Sequence, residues 1–148
     1  MTPESHKFTN ETKIRALIDE RTEAVRARDV VRATYGIAPH ILTFDVVNPL
    51  WNVGSDASRK RVEEWFTSFQ GTISYETLDM NITAGDDVAF AHGLCHVRAT
   101  KTDGEQIEMW WRSTICFRKI RGNWLITHEH NSVPFDPQSG KASLDLKP

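Results

Sequence analysis

Apolar and polar residues change their spacing partway along this chain. Over residues 9–28, Ile14, Leu17, Ile18 and Val25 recur at helical intervals with charges between them, which predicts an amphipathic helix. Thr9 or Asn10 is the expected cap. Asp29 can open a shorter helix in "DVVRATYG", ended by Gly36 and sealed by Pro39. "ILTFDVV" is rich in β-branched and aromatic residues and predicts a short buried strand carrying Asp45. Asn-Pro and Gly mark "NPLWNVGSD" as a loop. Ser55 or Asp56 then caps a third helix with the stripe Val62, Trp65, Phe66 and Phe69, stopped by Gly71.

From Thr72 the period becomes two. "ISYETLDMNIT", "VAFAHGLCHVRAT", "IEMWWRSTICFRKI" and "WLITHEHNSV" read as strands, joined by turns at "GDD", "TDGEQ" and "RGN". The polar, Pro-rich tail 136–148 is expected to be loose or to lie along a neighbouring subunit, and residues 1–8 are expected to be a flexible start. Helices first and hairpin-linked strands afterwards define an α+β class, with helices on one face of an antiparallel sheet. Long strands curl, so the expected form is a cone whose mouth makes a pocket. One domain over 1–148 is expected.

Composition narrows the function classes. Hydrophobic residues make up 39% and charged residues 26%, and the formal net charge is -2. That balance fits a globular chain and gives no basic footprint for nucleic acid. The short run "SRKR" reads as a solvated helix face. No apolar run reaches the roughly 20 residues of a membrane span, and the N-terminus lacks a secretory apolar region. Cys95 and Cys116 match no metal spacing and are expected to be reduced, with the cytoplasm as the expected location.

Candidate chemistry centres on "THEHNSVP". If strand alternation runs on from Trp124 and Ile126, His128 and His130 face the pocket and Glu129 faces out. A histidine there suits acid/base work near neutral pH. On the same logic Trp111 points inward with Met109, Ser113, Ile115 and Phe117. Trp110 and Arg112 then point outward, unless a bulge turns Arg112 inward to hold an anion or Asp45. Trp51 and Phe66 are expected to line the mouth and wall for a flat organic ligand.

Taken in order, "FDVVNPLWNVGSDASRKRVEEWF", "GDDVAFAHGL", "MWWRSTICFRKIRGNWLITHEHNSVPFD" and "GKASLDLKP" resemble the nuclear-transport-factor-2-like superfamily. The likeness is nearest to its SnoaL-like and ketosteroid-isomerase-like members of the SgcJ/EcaC-type group. The resemblance implies a strongly curved antiparallel sheet around three helices and a dimer through the outer sheet face. It places Asp45, before Gly54, at the position of the isomerases' base carboxylate. It also puts Phe90 and His92 on the inside. Arg21 and Ile115 stand where those isomerases hold their two oxyanion donors, so steroid isomerisation is not expected.

The implied function is cofactor-independent acid/base chemistry (isomerase, cyclase or dehydratase type) on a hydrophobic cyclic or polyketide-like molecule. Asp45, His128 and His130 would be catalytic. Trp51, Phe66, Phe90, His92, Trp111 and Arg112 would bind substrate. No metal or other cofactor is expected. Two alternatives stand beside it: a ligand-binding or dimerisation module without turnover, and a metal enzyme in which His92, His128 and His130 join Asp45 as ligands.

Overall fold

The computed structural model describes residues 2–148. Helix α1 spans Pro3–Arg26, and α2 spans Val30–Ala33. Strand β1 (Ile37–Phe44) and the two-residue β2 (Asn52–Val53) follow, then α3 (Ser55–Thr67). The long strands are β3 (Phe69–Ala84), β4 (Val88–Lys101), β5 (Gln106–Ile120) and β6 (Asn123–Ser132). They form one sheet in the order β2-β1-β6-β5-β4-β3, curved and not closed. All neighbours are antiparallel except β1 and β6, which run parallel.

Several boundaries differ from the expectations. The first helix starts at Pro3, with Thr2 as its cap accepting from the Ser5 amide at 3.1 Å. Proline suits a first helical turn because its missing N–H would have no partner there. Asn10 is one turn further in and does a different job: its side-chain amide donates to the Gly85 carbonyl at 3.0 Å, pinning α1 to the β3–β4 turn. Asp29 caps α2 as expected, accepting from the Arg32 amide at 3.1 Å. Pro39 lies inside β1, next to the short edge strand, where a missing donor is tolerated. Gly54 precedes α3 with no side-chain cap, and Phe69 belongs to β3. In the tail, Phe135 bridges Ala142 around a turn in which Asp136 accepts from the Gln138 amide.

α1 lies on the concave face and organises two separate apolar clusters. Ile14 and Ile18 pack with Ile41, Ala84, Ala89, Ala91, Ile115, Phe117, Trp124 and Ile126. Ala24, in the last turns of α1, joins Phe66, Phe69, Ile73 and Val97, with Trp65, Tyr75 and Trp111 packed against them. Burying each large apolar side chain contributes about 1.5–3 kcal/mol before entropy is counted. The inward set of β4 is Ala89, Ala91, Cys95, Val97 and Ala99, most of them small. Gly93 continues that parity, and a side chain there would meet the Leu78 carbonyl and Met80 Cα at 2.9 Å. No helix of the described residues is long and apolar enough to cross a membrane.

Candidate functional site

Between the two apolar clusters lies a polar layer. At its centre Arg21, from α1, donates through Nη2 to both carboxylate oxygens of Glu129 on β6, at 3.0 and 3.3 Å. The pair is mostly covered, with side-chain exposures of 22% and 16%. Burial works against the Arg21 cation, but Glu129, with Tyr75 beside it, outweighs that and leaves the guanidinium above its ordinary value. Tyr75 of β3 donates to the Cys95 sulfur of β4 at 3.5 Å. Burial first, then the neighbouring Cys95, hold the Tyr75 phenol well above its usual pKa. Burial likewise raises the Cys95 thiol. Both groups are therefore neutral at physiological pH, and Tyr75 is a hydroxyl donor rather than an anion.

Register carries the layer across the sheet. Ser113 of β5 is buried on the same face. Thr43 of β1 pairs with Glu129, and Asn52 of β2 pairs with Thr43, so the three share one inward row. Beside this row is an aromatic wall. Tyr75 and Trp111 stack at 5.9 Å, and Trp65 meets both edge-on at 6.3 and 6.2 Å. At the strand end Asp45 accepts from Arg61 of α3, from Nη2 at 2.7 Å and from Nε at 3.2 Å. Arg61 also donates to the Asn48 carbonyl, so the pair clasps the loop that carries Trp51.

The sequence-derived candidates separate into two faces. Asp45, Phe66 and Trp111 are on the inner side or at its mouth, and Trp51 is an exposed loop residue at 58%. His128 and His130 are on the outer face, and Glu129 is inside, the reverse of the expectation. The cause is a bulge. Phe117 pairs with Ile126 but Cys116 pairs with His128, so Thr127 is an extra residue and the alternation inverts beyond it. His128 then donates from Nδ1 to the Leu42 carbonyl at 2.7 Å, and Phe44 sits edge-on to both rings.

Phe90 and His92 are also outward, because the small residues of β4 take the inner face. Arg112 keeps regular alternation on the outer face and bonds Ser132 at 3.1 Å. His96 shares that face, stacked on Trp110 at 4.1 Å and flanked by Glu76 and Glu108 at 3.0 and 3.2 Å. The histidines and Asp45 therefore do not converge. Among the described residues no group of three histidine, cysteine or acidic side chains is placed to hold a metal ion.

Thr43 and Tyr75 were not named from the sequence, and Arg21, Cys95, Ser113 and Glu129 were named there without a place in the candidate site. Arg21 had a signal: it falls seven residues after Ile14 and three after Ile18, a charge on an apolar stripe. Tyr75 had one too, sharing parity with buried Ile73. Glu129 had none, because no apolar residue follows Ile126 in β6 to report the inverted alternation. Two surface clefts of about 310 and 330 Å³, lined by α1 side chains among others, include no residue of the polar layer.

The chain is an α+β protein in which helices cover one face of a curved, open sheet, with a polar layer between them. Residues 14–136 match the model of the SnoaL-like domain, and the chain belongs to that family. It is similar, at 33% identity and a TM-score of 0.85, to the crystal structure of an NTF2-like protein of unknown function from Pseudomonas putida KT2440, covering 95% of this chain and 98% of that one. An NTF2-like superfamily protein from Salmonella enterica matches at 16% identity and a TM-score of 0.77, covering 91% and 98%. A ketosteroid isomerase-like protein from Erwinia carotovora matches at 17% identity and a TM-score of 0.70, covering 82% and 94%. At those identities the last two show a shared fold. No curated protein matches.

Proposed function

We propose that this protein binds a small organic molecule against the polar layer and moves a proton on it without a cofactor, as an isomerase, cyclase or dehydratase does. The observation that carries this reading is the Arg21–Glu129 pair, held on rigid elements between two apolar clusters and beside an aromatic wall. Glu129 would take a proton from carbon next to a carbonyl and return it at a second position. Arg21 and the neutral Tyr75 hydroxyl would stabilise the oxygen as it gains charge. The Asp45–Arg61 pair would hold the mouth loop, since Arg61 bonds both Asp45 and the Asn48 carbonyl of that loop.

The test is α-proton exchange of 4-hydroxy-1-tetralone in D2O, followed by NMR. Acceleration by the wild type and at least a ~100-fold loss in Glu129→Gln, with the probe still bound, supports proton transfer. Binding without accelerated exchange favours a ligand-binding module, a reading consistent with the mutual satisfaction of Arg21 and Glu129.

The same proposal includes a homodimer through the outer sheet face, where Phe90 and Leu78 are exposed near Trp110 and Arg112. Light scattering at micromolar concentration is expected to return twice the chain mass. The mass of one chain would remove the dimer from this reading.

A further inference from the structure

Two polar atoms of the inner row are buried and have no hydrogen-bond partner among the described residues: Thr43 Oγ1 and Asn52 Nδ2. Thr43 as a whole keeps 8% of its surface. Such groups are rare because each loses its hydration without replacement, and a pair of them in one place calls for a partner. They are register neighbours on β1 and β2, next to Glu129, whose two oxygens are both taken up by Arg21. Ladder spacing puts such side chains about 5 Å apart.

Charge narrows the partner further. Four charged groups around this row pair off, Arg21 with Glu129 at 3.0 Å and Asp45 with Arg61 at 2.7 Å, while Lys119 lies at the far end of the face over Trp124. An anionic ligand would have to break one of these pairs, whereas a neutral one need not. The wall of Trp65, Tyr75 and Trp111 suits a flat ring.

We infer that Asn52 and Thr43 form the polar subsite of the pocket, and that it selects an uncharged ring compound bearing a carbonyl and a hydroxyl about 5 Å apart. Asn52 Nδ2 donates to the carbonyl oxygen, and Thr43 Oγ1 bonds the hydroxyl. This rests on the small-molecule reading above and names the substrate class for that site.

Calorimetric binding of 4-hydroxy-1-tetralone and of 1-naphthoate, a similarly shaped anion, tests it. The wild type is expected to bind the hydroxyketone at least tenfold more tightly. Thr43→Val and Asn52→Leu should each weaken that binding about tenfold, the loss of one ligand hydrogen bond. Thr43→Val should leave the melting temperature unchanged or raise it, since it replaces an unpartnered hydroxyl with a methyl group of equal size. Equal or tighter naphthoate binding overturns the inference. So does a Thr43→Val variant that loses stability while its affinity is unchanged. If neither probe binds, the small-molecule reading fails together with this one. If the hydroxyketone binds and Glu129→Gln alone abolishes exchange while both row variants bind normally, only this inference fails.

Discussion

Arg21 carries a full charge into a layer where 22% of its side chain meets water, and Glu129 makes that tolerable. Removing one partner of such a pair leaves an uncompensated charge, whereas replacing both need not destabilise. Glu129→Ala is therefore expected to lose about 2–4 kcal/mol in urea unfolding, discounted slightly for the partial exposure. The double change Arg21→Met, Glu129→Leu should recover most of it; a double variant no better than the single would show that the pair is not the source of the loss. Cys95 gives a prediction in pH. Its thiol is raised by burial, so the folded state holds its proton longer than the unfolded chain does. The corresponding stability is fully present below the ordinary thiol range and is lost as pH rises through the higher folded value. Melting temperature should fall as pH rises above the ordinary thiol range, and less steeply in Cys95→Ala. Parallel pH curves for the two proteins would contradict this.

Two bulges decide which side chains meet. In β6 the extra residue Thr127 turns Glu129 inward and both histidines outward. His130 is exposed, so His130→Ala should change stability by no more than about 0.5 kcal/mol. His128→Ala forfeits the bond to Leu42 and should lose about 1 kcal/mol. Neither substitution should alter probe binding; a tenfold loss in either would put the histidines back in the pocket. In β3 the pairing skips a residue between Leu78 and Asn81, with Asp79 at a φ of 55°, and the chain presses against Gly93. Gly93→Ala would push a methyl group into the β3 backbone at Leu78–Met80, and is expected to lose about 2 kcal/mol by urea unfolding. An unchanged midpoint would mean that β3 moves aside freely.

At the scale of the molecule, periodicity and residue type announced the order of the helices and long strands, because each buries one face at its own period, while β2 lies in the segment read as a loop. The apolar stripe Ile14, Ile18 and the strand set Ile115, Phe117 are buried as those periods require. The parallel placement of β1 beside β6 was not readable, since pairing between distant strands leaves no local mark. The site was legible where apolar neighbours fix parity, as at Trp111. It was lost where they run out: the Thr127 bulge inverted every assignment beyond it. Inward alanines in β4 were equally misleading, because the small residues take the inner face and leave Phe90 and His92 outside.

The central claim is that ligands meet the layer of Arg21 and Glu129 and not the histidine face. The five tryptophans make this directly measurable, since indole N–H resonances are resolved individually by NMR. Titration with 4-hydroxy-1-tetralone is expected to shift Trp65 and Trp111, while Trp110 and the His130 imidazole stay in place. Shifts at Trp110 and His130, with Trp65 and Trp111 unmoved, would contradict the account.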